Sequence, residues 1–187
     1  MAKTALLIVD MQNVFASMAT TATPHINELH SSFEKTSRPI FFTQHGHTKE
    51  DLTPPYKNQL VRRWGPDGSI RKGSKDAELV PEMKKLVKDF PIIAKNTYDA
   101  FINTNLASLL EERNIERILV CGVLTDCCCD TTARSAFNRG FETWLISDAC
   151  GSANKKQHEA GLSGFGFACD NVMTTSEALS KLQKEKA

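Results

Sequence analysis

The stretch at positions 117–130, RILVCGVLTDCCCD, passes from an unbroken apolar run into a polar turn with three adjacent cysteines. An apolar run without polar alternation is typical of a strand that helices cover on both faces of a parallel sheet. The segment that follows, 129–139, has the spacing of an amphipathic helix. This stretch therefore predicts a strand, a turn and a helix, with the thiols at the carboxyl end of the strand.

The same alternation extends along the whole chain. Further candidate strands lie at 5–9, 39–43, 91–95, 143–147 and 171–175, and further amphipathic segments at 25–36, 76–88, 104–113, 154–163 and 176–184. Ser74 or Asp76 is the expected cap of the helix at 76–88. This order predicts an α/β fold, a single-domain three-layer αβα doubly wound sheet that is mostly parallel, with about six strands. Residues 1–187 form one predicted domain, with a long irregular excursion at 44–75.

Composition excludes several classes of protein. The 187 residues are 41% hydrophobic and 24% charged, with a net charge of +1. Nothing in that balance attracts nucleic acid or an acidic membrane, so the expected partner is a small-molecule substrate. The five-residue apolar run before Asp10 is too short for a signal peptide core or a membrane span. We therefore expect a cytoplasmic protein, with leaderless secretion left open.

The six cysteines are expected to be free thiols, as is usual in a reducing compartment. No C-x-x-C pair occurs among them, so the sequence predicts no structural metal site built from cysteine. We expect no cofactor.

Reactive residues follow several of the predicted strands. Asp10 ends the first strand, Lys95 ends the third, and the cysteine turn follows the fourth. Ligands bind at the carboxyl ends of strands in open parallel sheets, which predicts that these groups meet. An acid, an amine and a thiol form a self-consistent site, in which the amine lowers the thiol pKa and the acid exchanges the thiol proton.

Three blocks resemble the isochorismatase-like (cysteine hydrolase) superfamily, and isochorismatases most closely in motifs. The blocks are ALLIVDMQNVF (5–15), IIAKNTYDAF (92–101) and ILVCGVLTDCCCDTTARSAFNRGFETWLISDA (118–149). The resemblance implies a catalytic triad of Asp10, Lys95 and Cys128, the middle cysteine of the three. It also implies a cis peptide between Val123 and Leu124, with the N–H groups of Leu124 and Cys128 forming an oxyanion hole.

Two histidines bear on the metal question. Nicotinamidases of this superfamily hold a metal through a D-x-H motif after the second strand, with a further histidine downstream. Here His47 fits the motif, but His45 stands where the aspartate would be. The next histidine is His158, so His45 and His47 are weak candidates and we expect no metal.

The substrate candidates come from the same resemblance. Isochorismatases carry a W-G-P motif, matched here by Trp64-Gly65-Pro66, and a glutamine near position 44. The full set of expected substrate-binding residues is Phe15, Gln44, Trp64, Tyr98, Phe101 and Thr125. The leading hypothesis is hydrolysis of the vinyl ether of isochorismate, which releases pyruvate. The alternatives are a cysteine amidase acting on nicotinamide or a carbamoyl or ureide compound, and a non-enzymatic binding protein. The superfamily also implies a homo-oligomer, a dimer or a tetramer.

Overall fold

Six strands form one sheet in the computed structural model, which describes residues 2–185. They are β1 (Thr4–Val9), β2 (Ile40–His45), β3 (Ile92–Lys95), β4 (Arg117–Val123), β5 (Glu142–Gly151) and β6 (Val172–Met173). Their order in the sheet is β3-β2-β1-β4-β5-β6, and each neighbouring pair is parallel. The predicted α/β fold is confirmed, and the sheet is wholly parallel rather than mostly so.

Helices cover both faces of the sheet. They are α1 (Ala16–Ala19), α2 (Thr23–Lys35), α3 (Gln59–Trp64), α4 (Pro81–Val87), α5 (Leu106–Glu111), α6 (Asp130–Asn138), α7 (Lys155–Cys169) and α8 (Thr175–Lys184). Helices α2 and α8 pack together on one face, and α6 and α7 pack together on the other. Strands β1 and β4 are consequently buried along their whole length, which explains why their sequences lack polar alternation.

The chain reverses its winding between β1 and β4, and Gly122 permits their close approach. Its φ of +116° is unfavourable for other residues, and a Cβ built there would lie 2.2 Å from the Val9 carbonyl oxygen. Asp10 and the cysteine turn leave the sheet at this point. Such a crevice, outside the carboxyl ends of two adjacent strands, is where ligands bind in open parallel sheets.

The prediction of a helix at 76–88 is wrong for residues 76–80. It begins at Pro81, with Val80 as a cap that has no side-chain hydrogen bond, so neither Ser74 nor Asp76 caps it. Proline disfavours helical backbone in the residue before it and suits the first helical position. Residues 76–78 instead form a turn, and Leu79 and Val80 lie beside the segment after β1, where Val80 N–H donates to the Met11 carbonyl at 2.9 Å.

The long segment 46–75 is tied to the end of β3. Asn58 caps α3 through its side-chain oxygen, and its amide Nδ2 donates to the Asn96 carbonyl at 2.9 Å. Asn96 in turn donates to the Asp51 carboxylate at 3.2 Å. The segment therefore docks on the residue that follows Lys95.

Among residues 2–185, no helix has the length and hydropathy to cross a membrane.

Candidate active site

The structure brings Asp10, Lys95 and Cys128 together at the crevice. Asp10 follows β1 in a left-handed conformation (φ 47°), Lys95 is the last residue of β3, and Cys128 lies in the π-helical turn Thr125–Cys129 after β4. Lys95 Nζ lies 2.6 Å from Asp10 Oδ2, and both side chains are 0% exposed. The Cys128 thiol, in a residue 5% exposed, lies close enough to both groups for each to shift its pKa.

Each oxygen of the Asp10 carboxylate has a different neighbour. Thr43 Oγ1 donates to Asp10 Oδ1 at 2.6 Å and accepts from the Asp10 N–H at 3.1 Å, while Oδ2 faces Lys95. Lys95 Nζ also donates to the Thr97 carbonyl at 2.9 Å. These contacts fix the acid and the amine before any substrate arrives, which is the preorganisation that catalysis requires.

The thiol is held in its protonated form. Burial raises the pKa of Cys128, Lys95 lowers it, and Asp10 raises it further, so that the net shift is upward. Lys95 lowers the thiol pKa as expected, but desolvation and the nearby carboxylate outweigh the ammonium. Burial lowers the pKa of Lys95, but Asp10 and Cys128 more than compensate, and the pKa is raised. The resting site thus contains a thiol and an ammonium.

The cysteine turn is anchored on both sides. The Val123–Leu124 peptide is cis, and the Leu124 carbonyl accepts from the N–H groups of Cys127 and Cys129, both at 3.1 Å. On the outer side, Thr125 Oγ1 lies 2.8 Å from His158 Nδ1 of α7, and Thr125 is fully buried. Thr125 is thus engaged by α7, and its part in substrate binding stays a prediction.

The two flanking cysteines have neighbours other than Asp10 and Lys95. Cys129 is buried against Cys150 of β5, and Cys127 is half-buried between Asp126 and Asp130. Burial is the largest cause of the raised pKa of both thiols. Neither thiol has both an acid and an amine beside it, so neither has the surroundings of a second nucleophile. Cys129 is a core residue as predicted, whereas Cys127 is partly exposed.

His45 and His47 form a buried pair beside Lys95. Lys95 Nζ lies 3.5 Å from His45 Nδ1, and the Nε2 atoms of the two histidines are 3.1 Å apart. Burial, and after it Lys95, lowers the pKa of His45 to about 4; burial likewise lowers the pKa of His47. Both rings are therefore neutral near pH 7. Between residues 2 and 185, no cluster of three or more His, Cys, Asp or Glu side chains is arranged to hold a metal ion.

Two of the expected substrate-binding residues lie away from the triad. Gln44 is on the face of β2 opposite to Thr43 and His45, and its Nε2 donates to the Ala77 carbonyl at 2.7 Å. Phe101 is buried, 6.3 Å from the ring of Phe141 near the amino ends of the strands. The structure therefore places neither side chain at the crevice: Gln44 because successive residues of a strand face opposite sides, and Phe101 because it belongs to the core.

The other aromatic candidates lie closer to solvent. Trp64 ends α3, is 54% exposed, and donates from its indole N–H to the Tyr98 hydroxyl at 3.3 Å. The Arg63 guanidinium lies 4.7 Å from the Trp64 ring. Phe15 is half-buried and packs against the core. Because Tyr98 is three residues beyond Lys95, this contact ties the end of α3 to the loop that follows β3.

Sequence reasoning missed two polar residues of the site. They are Thr43, described above, and Gln12, which is fully buried. Gln12 Nε2 donates to the carbonyls of His45 and Ala77, both at 2.8 Å, and its Oε1 accepts from the His45 N–H. Gln12 thus joins the ends of β1 and β2. Its position two residues after Asp10 is a signal, but the partners become visible only in three dimensions.

The fold, with a buried acid, amine and thiol at the crevice, is that of an isochorismatase-like hydrolase. The chain belongs to the isochorismatase family, since the Isochorismatase domain matches residues 4–177. Nicotinamidase 3 of Arabidopsis thaliana is 36% identical over 178 residues, 90% of this chain and 86% of that protein.

Solved structures agree with this assignment. An isochorismatase family protein from Desulfovibrio vulgaris superposes with a TM-score of 0.86 at 21% identity, covering 98% of this chain and all of that one (100%). The nicotinamidase of Staphylococcus aureus has a TM-score of 0.75 at 26% identity, covering 93% of this chain and 98% of that one. The first likeness, at its low identity, supports the fold alone.

Proposed function

We propose that this hydrolase is an amidase that cleaves the carboxamide of a small aromatic compound through an acyl-enzyme on Cys128. The observation that carries the proposal is the protonated Cys128 thiol next to the Asp10 carboxylate, which Lys95 and Thr43 hold in place. A thiol and an adjacent base form the arrangement that covalent catalysis requires. The 36% identity to a nicotinamidase supports an amide rather than an ether as the scissile group.

The proposed reaction begins with transfer of the thiol proton from Cys128 to Asp10. The thiolate attacks the amide carbon and forms a tetrahedral intermediate with an oxyanion. Collapse breaks the C–N bond, and Asp10 returns the proton to the departing nitrogen, which leaves as ammonia. A water molecule, deprotonated by Asp10, then attacks the thioester, so that the carboxylic acid departs and the thiol is restored.

Lys95 has an electrostatic role in this scheme. Its ammonium lies against the carboxylate and within reach of the sulfur, so it stabilises whichever of the two is anionic. Because the Lys95 and Asp10 side chains are buried, such stabilisation is stronger than it would be in solvent. The N–H groups of Leu124 and Cys128 are the proposed donors to the oxyanion, since the turn that carries them also carries the nucleophile.

A flat substrate suits the exposed aromatic pair. Trp64 and Tyr98 join the end of α3 to the loop after Lys95, and Trp64 is 54% exposed, so part of its ring can stack on a substrate. Phe15 offers a second apolar surface on the segment after Asp10. Nicotinamide, which is small, planar and uncharged, is therefore the first compound to test.

Isochorismate is the competing substrate, and the W-G-P motif is the observation that favours it. Its vinyl ether requires a proton donor and water but no nucleophile, so this reaction gives Cys128 no task. The buried thiol beside its base is better explained by amide hydrolysis. The two reactions release different products, which makes them easy to separate.

The test compares ammonia release from nicotinamide with pyruvate release from isochorismate. The variants are Cys128→Ala, Asp10→Ala and, as a matched control, Cys127→Ala, which removes a neighbouring thiol outside the triad. We expect ammonia release that Cys128→Ala and Asp10→Ala abolish and Cys127→Ala leaves intact. Pyruvate release that survives Cys128→Ala and is lost with Asp10→Ala would establish the ether hydrolase instead. If the protein turns over neither compound and none of a panel of amides, the proposal is rejected.

A further inference from the structure

The histidine pair next to Lys95 forms a chain of contacts that runs outward from the triad. Lys95 Nζ faces His45 Nδ1 at 3.5 Å, and His45 Nε2 faces His47 Nε2 at 3.1 Å. Both histidines are buried, at 6% and 2% exposure. The far nitrogen, His47 Nδ1, is buried and has no hydrogen-bond partner among the described residues. A buried polar atom left in this way requires an explanation.

The donors and acceptors along this chain can be assigned in order. An ammonium donates only, so a nitrogen that faces Lys95 accepts, which leaves His45 Nδ1 without a proton. A neutral imidazole carries one proton, so that of His45 lies on Nε2 and is donated to His47 Nε2. His47 must then carry its own proton on Nδ1. The buried orphan atom is consequently an N–H donor. The lowered pKa of both rings agrees with this neutral pair.

The outer end of the chain meets a negative charge. The Asp51 carboxylate lies near enough to His47 for each to affect the pKa of the other. Asp51 is itself held by the Thr48 N–H at 2.9 Å and by Asn96 Nδ2 at 3.2 Å. The negative charge of Asp51 raises the pKa of His47, although burial outweighs it. Asn96 directly follows Lys95, so the residue that holds Asp51 lies next to the end of β3, where the chain of contacts begins.

We propose that His45 and His47 are positioning residues: a neutral pair, protonated at His45 Nε2 and His47 Nδ1, that holds the Lys95 ammonium against Asp10 and Cys128. The pair acts through Lys95 and touches neither the nucleophile nor its acid. The proposal rests on the proposed function in one respect: the proposed function assigns Lys95 to the reacting site. In this arrangement His45 Nε2–H donates a hydrogen bond to His47 Nε2.

A competing acceptor makes the proposal testable. The Thr97 carbonyl lies near the His45 ring and also accepts from Lys95. Donation from His45 Nδ1 to that carbonyl would reverse both tautomers. A long-range ¹H–¹⁵N spectrum of the full chain separates the two arrangements, with signals assigned through His45→Asn and His47→Asn. We expect the Nε2–H form of His45 and the Nδ1–H form of His47. The reverse tautomers would overturn the proposal, and this readout needs no turnover.

Kinetics with nicotinamide test the positioning role. His45→Leu removes the acceptor that faces Lys95, and we expect kcat to fall roughly ten- to a hundredfold with KM little changed. His45→Asn places an oxygen near the former Nδ1 position, and we expect it to recover most of that loss. Equal kcat for both variants, measured per folded molecule, would leave only a structural role and overturn the proposal.

Metal binding is the remaining outcome. After treatment with EDTA, and again after addition of Zn²⁺, we expect unchanged activity and unchanged histidine spectra. Activity that depends on the added metal, or loss of the Nε2–Nε2 contact on its addition, would overturn the pair as described. Failure of the amidase proposal appears separately, as ammonia release that is absent or indifferent to Cys128→Ala.

Discussion

Lys95 and Asp10 form an ion pair at 2.6 Å in which neither side chain reaches solvent. The residues come from β3 and from the end of β1, so the lysine side chain spans the strand that lies between them. A charge pair without solvent is stable only while both partners are present. This gives each partner a strong influence on the stability of the whole sheet.

Loss of one partner should therefore destabilise more than loss of both. Lys95→Met leaves the Asp10 carboxylate buried without its cation, and we expect about 3–5 kcal/mol less free energy of unfolding. Adding Asp10→Asn to that variant should restore part of the loss, since no unpaired charge remains. Urea unfolding followed by circular dichroism measures both. This interpretation would be contradicted if the double variant lost as much free energy of unfolding as the two single variants together.

Thr43 should affect catalysis more than its size suggests. Thr43→Val removes the donor to Asp10 Oδ1, and we expect a loss of about 1–3 kcal/mol in stability. With the carboxylate free to shift, we expect kcat to fall by roughly tenfold or more. Thr143→Val is the matched control, because Thr143 is equally buried and donates to the Phe141 carbonyl far from the triad. Parallel losses of kcat in both variants would show that Thr43 has no particular role.

The Cys128 thiol should respond to its two neighbours in opposite directions. Asp10 raises the thiol pKa and Lys95 lowers it. Asp10→Asn should therefore lower the pKa of Cys128, and Lys95→Met should raise it further. Thiolate absorbance near 240 nm, taken as the difference from the same variant carrying Cys128→Ala, follows this titration. A shift of the same sign in both variants would contradict the assigned contacts.

Acid should destabilise the fold through His45. Its pKa is about 4 in the folded chain, against 6.5 for the ordinary group. As the pH falls below 6.5, the unfolded chain binds a proton that the folded chain refuses, so the free energy of unfolding decreases. The decrease continues to about pH 4 and totals roughly 3 kcal/mol for this group. Unfolding titrations between pH 4 and 7 measure it. His45→Asn should flatten the slope, and an unchanged slope would locate the acid sensitivity elsewhere.

Trp64 should affect substrate binding and leave stability nearly unchanged. Because the residue is half-exposed, we expect Trp64→Ala to change the free energy of unfolding by no more than about 1 kcal/mol. The amidase proposal predicts a higher KM for nicotinamide. Phe167→Ala is the matched control, since Phe167 is 97% exposed near the end of α7, which leads to the opposite edge of the sheet. Equal effects on KM would remove Trp64 from the site.

The order of strands and helices was predictable because it depends on local periodicity, and the boundaries were not. Residues 76–80 have helical spacing, yet Leu79 forms a bridge with Gln12 that only the folded chain brings near. Pro81 was the local signal that the helix starts later. Strand β5 runs to Gly151, four residues past its apolar run, because pairing with β4 continues there.

The approach of Asp10, Lys95 and the cysteine turn was predictable for a topological reason, because the carboxyl ends of parallel strands share one edge of the sheet. The choice of Cys128 among the three thiols came from the family resemblance alone. The supporting residues were harder to foresee, because the direction of a side chain depends on register. Gln44 and His45 are neighbours in sequence, yet they face opposite sides of β2. The net upward shift of the thiol pKa could not be predicted for a similar reason, since the extent of burial is a property of the folded chain.

The reach of Lys95 across β2 has a consequence for how activity is acquired. Asp10, Lys95 and Cys128 meet only after β1 has paired with β2 and β4, and β2 with β3. These pairings join segments that are distant along the chain, and such contacts form late compared with local helices. Enzymatic activity during refolding should therefore lag behind the recovery of helical signal. A fragment that ends before β4 would lack Cys128 altogether, so the assembled site is a property of the completed sheet.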